Sequence, residues 1–313
     1  MEITQTPPDY ASLRGELLYS VTHPTNTNID LQVMDVDTDE VVGTKRLIDV
    51  RYVSFDAAPY LRRRLFFHPR TGATGFVSAA GRTIHATLKV GELRASVRTF
   101  IPAAKAATAP ALLSTMPTSR TINQGECDEL TLCTATPCVV LLTAYVGTQA
   151  TTTRYTASQP GITLFRLNSA DFPKASRILL QIEGLGAVSY TLTKLVSGIR
   201  VAWRSSAGSI EHYTFPIEKQ ATVEVEKQHI FTTRGYAPVA IKNSRCTTLL
   251  SAYEATQTLT TLEEILTSPA VWRVEEGLYT PMEVVNTASG IRHHGTLRNL
   301  EVQLRSQPKI TLP

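Results

Sequence analysis

The chain has 313 residues, 42% hydrophobic and 19% charged, with a formal charge of +4. That length suits two or three domains, and its scattered lysines and arginines form neither a nucleic-acid footprint nor a patch for an anionic membrane. No stretch reaches the length of a membrane span, and the opening MEITQTPPDY lacks a basic region followed by an apolar one; the expectation is synthesis in the cytosol without a signal peptide, and no membrane partner.

In chain order, residues 1–103 read as an N-terminal β-sandwich domain. LLYSV, NIDLQVMDV, EVVGTKRLI, VRYVSF, TIHATLKV and ASVRTFI are rich in β-branched and aromatic residues, and PTNTN, DTDE, GATG, AAGR and GE read as the turns between them. Between Ala57 and Phe67 the pattern changes to a short helix that fans Arg62, Arg63 and Arg64 around it. Three adjacent arginines without a wider basic patch supply few phosphate contacts, so they read as a solvated face or an interface.

Pro102 to Pro117 alternates with neither useful period and reads as a linker, placed at residues 104–117. Residues 118–197 read as a central immunoglobulin-like β domain, in which CVVLLTAYV is the central strand and Ser169 to Phe172 a short turn. Residues 198–313 read as a C-terminal β domain. IRVAWRSSAGSIEHYTFPI forms a hairpin turning at Ser205 to Gly208, ATVEVEKQHIF alternates as a strand, and TTLLSAYEAT supplies another. In LTTLEEILTSP, Leu259, Leu262, Ile265 and Leu266 recur at helical spacing, which predicts a short helix over 258–267 that Pro269 stops. In LRNLEVQLR, Leu300, Val302 and Leu304 alternate with Glu301, Gln303 and Arg305, a half-buried strand against which the helix packs.

The order LLSAYEATQTLTTLEEILTSPAVW, YTPMEV, LRNLEVQLR resembles the C-terminal domain of β-rich structural proteins of phage and prophage tail and baseplate modules of gut bacteria. The resemblance covers roughly the last third of the chain. It implies a building block of a virion, made in the bacterial host cytoplasm, whose partners are copies of itself and other virion proteins; it brings no catalytic residues.

Candidate chemistry is sparse. No G-x-S-x-G elbow, H-E-x-x-H or P-loop occurs, so no catalytic, cofactor-binding or metal residue is expected. His293 and His294, adjacent on a strand, point to opposite faces and suit a polar turn or interface better than one ion. Asp35 to Glu40 opens like a calcium loop but lacks its glycine and distant glutamate, and reads as an acidic hairpin tip. Cys127, Cys133, Cys138 and Cys246 show no paired spacing and are expected to be reduced. Trp203, Trp272 and the tyrosines are dispersed singly, as packing residues are, rather than grouped as a sugar platform. The whole reads as an all-β chain of tandem antiparallel, immunoglobulin-like β-sandwich domains with one or two short helices, assembling through strand edges such as ATTTRYTA and TTLLSAYEAT. The alternative is a cell-surface or secreted adhesin or carbohydrate-binding module with a host-surface glycan as partner.

Overall fold

A computed structural model describes residues 1–67, 69, 72–195, 197–233, 235–286, 290–294 and 297–311. The fold is all-β, built from several mainly antiparallel sheets, with strands over 61% of the chain and two short helices. The first unit comprises β1 (Glu2–Gln5), β2 (Ala11–Ser12), β3 (Leu18–Asp35), β4 (Glu40–Asp56), α1 (Ala58–Leu61), then β5 (Gly75–Val77), β6 (Ile84–Val90), β7 (Leu93–Arg94) and β8 (Arg98–Ile101). All its strands except β5 form one seven-stranded sheet. Tyr19, Ile29, Leu31, Phe55, Leu88 and Phe100 make its core.

Two departures from the sequence reading concern strand length. LLYSV and NIDLQVMDV are one strand, β3, and EVVGTKRLI and VRYVSF are one strand, β4. The PTNTN stretch is an irregularity within the β3–β4 pairing, whose register shifts between Thr22 and Thr27 and again before Ile29. Pro24 is tolerated there because, among the described residues, β4 alone follows β3 past the irregularity until β6 joins at Leu31. α1 is a single turn followed by a 3-10 turn at Arg62–Arg64. Its Tyr60 ring lies on β4 at Gly43, 2.1 Å from where a Cβ would stand, so only glycine fits.

The second unit is built from β9 (Ala111–Leu113), β10 (Ser119–Asn123), β11 (Cys127–Thr134), β12 (Cys138–Val146), β13 (Gln149–Ala157), β14 (Gly161–Asn168), β15 (Arg177–Ile182) and β16 (Gly186–Thr193). A five-stranded sheet, β10-β16-β15-β12-β13, shares one core with a four-stranded sheet, β5-β14-β11-β9, through Leu130, Leu132, Val140, Leu142, Phe165 and Leu180. The segment read as a linker therefore carries β9, which pairs with β11 at Ala111 to Leu113, and Met116 is buried in the third core. β5, from the stretch read as part of the first domain, completes the second unit's sheet instead.

The third unit holds β17 (Ile199–Arg204), β18 (Ile210–Phe215), β19 (Ile217–Thr232), β20 (Gly235–Leu250), α2 (Thr256–Thr267), β21 (Val271–Glu275), β22 (Leu278–Val284), β23 (Gly290–His294), β24 (Leu297–Ser306) and β25 (Lys309–Thr311) in one nine-stranded sheet with α2 against it. α2 starts two residues before the expected position, without a side-chain cap. It buries Leu259, Leu262 and Ile265 against Leu300, Val302 and Leu304, the packing that the three- and four-residue spacing predicts.

Candidate functional site

Strand β13 ends the five-stranded sheet: β12 pairs it on one side and no strand pairs it on the other among the described residues. Its register with β12 runs without a shift from Gln149 opposite Val146 to Ala157 opposite Cys138. Thr151, Thr152, Thr153 and Arg154 are exposed, and Thr152 meets Thr143 across the pair at 2.9 Å between hydroxyls. Edge strands are normally protected by bulges, proline or several charges. β13 has no bulge, no proline and one charge, Arg154. Toward its end Tyr155 is anchored edge-on to Phe165, ring centroids 5.4 Å apart. The second stretch expected to be free, TTLLSAYEAT, is not an edge: its Thr247 to Leu250 lie in β20 between β19 and β24.

The sequence reading recognises β19 as a strand but not that it stands clear of the core. Every residue from Ile217 to Phe231 is exposed. β24 supports only the base of β20, from Cys246 to Leu250, and β25 pairs at Ile241 to Asn243. By strand alternation and register, one face of this ribbon carries Val223, Val225, Lys227, His229 and Phe231, with Tyr236, Ile241 and Arg245 from β20. Phe231 and Tyr236 are 77% and 78% exposed and pack edge to face at 5.3 Å. Arg245 is paired at the base with Glu218, 3.1 Å away. The other face places Glu226 by Lys242, 3.8 Å, and Glu224 by Arg305, 3.2 Å. One side is thus charged and internally neutralised; the other is apolar with a basic tinge.

The densest set of titratable groups is buried between the second and third units. Arg120 on β10 donates to Asp128 on β11 at 2.9 Å and lies 3.4 Å from Glu211 on β18. The Asp128 carboxylate also accepts from the Tyr190 hydroxyl at 2.9 Å and meets His212 Nδ1 at 3.1 Å. His212 Nε2 is 2.9 Å from the Tyr279 hydroxyl. Beside them Arg200 on β17 donates to Glu126, 2.9 Å, and to the carbonyl of Cys127, 2.6 Å. Arg82, reaching in from the segment between β5 and β6, pairs with Glu129 at 3.0 Å. Burial opposes ionisation of Asp128, but Arg120, His212 and Arg200 outweigh it and hold the carboxyl well below the usual range. Burial pushes Glu211 up, with Arg120 opposing. Burial likewise pushes the Tyr279 hydroxyl and the Cys127 thiol up. The Asp128–His212–Tyr279 line forms a polar lock between the second and third units.

Several other residues singled out from the sequence have structural partners. Arg62 donates to the carbonyls of Leu13, Arg14 and Gly15, and Arg64 reaches Asp35 and Glu40. Asp35 to Glu40 form the β3–β4 tip, with Asp37 turned to His85 at 2.9 Å. Trp203 and Trp272 are buried. The four cysteines are free thiols. The side chains of His293 and His294 lie outside the described residues. The polar lock itself is missed by the sequence reading; its one signal is charge at inward positions of apolar strands, as in ELTLC and IEHYTF.

No family model matches the chain, and no curated protein matches it. By fold the chain is all-β: its second unit is a β-sandwich of two sheets, and its first and third units are each built on one sheet. Similar solved chains include one from Dpr2 Ig1-Ig2 in complex with DIP-Theta Ig1-Ig3, at 8% identity over 97% of this chain and 88% of that one, with a TM-score of 0.20. The I9-I11 tandem from titin has 10% identity over 96% and 88%, with a TM-score of 0.18. A bacterial ice-binding adhesin structure has 9% identity over 80% and 94%, with a TM-score of 0.16. Likeness at these scores carries no argument about function.

Proposed function

We propose that the chain is a non-enzymatic structural component of a virion, a phage tail or baseplate subunit that assembles with copies of itself and neighbouring virion proteins. The observation that carries this reading is the unprotected edge of β13, which offers a neighbour a row of backbone donors and acceptors. The ribbon β19–β20 supports it, since β19 is exposed from Ile217 to Phe231 and a projecting two-stranded ribbon is marginal alone and gains stability from a partner. The polar lock suits the same role, since buried charge pairs join the second and third units. Repeated heterologous contacts close into a ring when the rotation between copies allows it.

Imaging intact particles of the phage or prophage that encodes the chain tests the reading. It predicts density for this fold at repeated positions in the tail or baseplate. Particles complete in every other component and lacking this chain would overturn it.

A further inference from the structure

A cleft of about 580 Å³ opens between the first and second units. Clefts of this size at domain boundaries are the usual setting of small-ligand sites. Its walls come from Tyr10 before β2, the Ser78 to Gly81 segment, Thr83, His85 on β6, Thr99 on β8 and the turn entering β14 at Pro160 to Ile162. Both units must be docked for it to exist.

Tyr10 is the unusual residue. Its φ is +57°, a left-handed conformation that a bulky side chain adopts only when its surroundings enforce it. Here they do. Its N–H donates to the Thr99 carbonyl at 2.7 Å and its carbonyl accepts from Ala107 at 3.0 Å. The preceding Asp9 accepts from the Thr99 N–H at 3.0 Å and from Arg98 at 3.1 Å. The hydroxyl of Tyr10 rests against Gly161, 3.7 Å from where a Cβ would stand. A strained backbone pinned on both sides holds an aromatic ring in the wall of a cleft. His85 is fixed as well, its Nδ1 3.0 and 2.9 Å from the two oxygens of Asp37, which leaves Nε2 without a partner among the described residues.

The lining selects the ligand class. Among the described residues no lysine or arginine lines the cleft, so a phosphate or other anion finds no counter-charge there. Asp37 is the one carboxylate among the described lining residues, and its oxygens face His85 Nδ1, so a cation would find a single acidic ligand there. What remains is one aromatic ring, an imidazole and the hydroxyls of Ser78, Thr83 and Thr99, beside apolar Pro160 and Ile162. Aromatic faces with short hydroxyl-bearing side chains suit a ligand with an apolar ring face and a hydroxyl rim. We infer that the cleft between the first two units binds a short neutral saccharide, with Tyr10 as its stacking face and His85 and the hydroxyls as its hydrogen-bonding rim. Binding at one copy is weak, and repetition in an assembly raises it by avidity.

Saturation-transfer NMR on the full chain tests this with glucose, galactose, N-acetylglucosamine and their short oligomers, using a sialylated trisaccharide and inorganic phosphate as anionic controls. The inference predicts transfer to at least one neutral sugar and none to phosphate. Tyr10→Gly, which relieves the left-handed strain while removing the ring, and His85→Ala should each weaken binding about tenfold or more, while Tyr10→Phe, which keeps the stacking face, should retain most of it. If Tyr10→Gly fails to fold, His85→Ala and Ser78→Ala carry the test. No binding by any neutral sugar, equal binding by phosphate, or binding unchanged in the variants would overturn the inference. None of these outcomes bears on assembly through β13.

Discussion

At the scale of single residues, the opposed behaviour of Asp128 and Glu211 makes the polar lock measurable. The Asp128 carboxyl sits below its ordinary 3.8 in the folded state. Its ionised form therefore stabilises the fold above that value, and the contribution is lost as pH falls toward the folded value. Glu211 sits above its ordinary 4.5, so its contribution is present below 4.5 and lost as pH rises through the folded value. Asp128→Asn should cost about 3–5 kcal/mol at neutral pH because it leaves Arg120 and Arg200 short of a buried counter-charge. Denaturation midpoints across pH should show that deficit shrinking below about pH 4. Glu211→Gln should move the other way, faring better relative to wild type at neutral pH than in acid. Parallel curves for wild type and both variants would contradict the lock. Burial decides a third case: Leu262, fully buried under α2, should cost about 2–5 kcal/mol on replacement by alanine.

At the scale of elements, legibility in the sequence tracks the strength of the local pattern. α2 is readable because Leu259, Leu262, Ile265 and Leu266 share one helix face and Pro269 ends it. β24 is readable because Leu300, Val302 and Leu304 strictly alternate. β13 is readable as an edge because Thr151 to Thr153 and a single Arg154 fit neither a buried strand nor a charged surface. Thr247 and Thr248 have the same composition yet lie inside the sheet, since threonine fits an exposed edge and a buried ladder equally well. Proline and asparagine in PTNTN look like a turn, although β4 carries the pairing past the irregularity. β9 and β5 are invisible because three-residue strands owe their existence to partners far along the chain. The lock is invisible for the same reason, since it depends on Arg120, Asp128 and His212 meeting across sheets. The ribbon's exposure also sets its dynamics: amide exchange should be fast from Val223 to Tyr236 and slow in β12 and β24. Protection of the ribbon equal to that of β12 in the isolated protein would show a cover that the fold does not provide.

At the scale of the whole molecule, the three units interlock by exchange of small parts. β5 crosses from the first unit into the second unit's sheet, and Ala104 donates to Ser206 at 2.7 Å. The turn after β17 brings Gly208 so near Ala103 that a Cβ there would stand 2.7 Å from its backbone nitrogen. Glu264 on α2 accepts from Thr115 at 3.0 Å and from Ser206 at 2.6 Å. A body joined in this way presents the β13 edge and the ribbon in fixed relation, which repeated assembly requires.

Sedimentation of the full chain over a range of concentrations, beside a Thr151→Lys/Thr153→Lys variant, tests that central claim most directly. The two lysines place like charges along the β13 edge, the protection that natural edges use, on side chains that are exposed and bear little on the core. The account predicts concentration-dependent assembly of the wild-type chain and a monomeric variant with an unchanged melting temperature. A wild-type chain that stays monomeric at high concentration, or a variant that assembles as the wild type does, would contradict it.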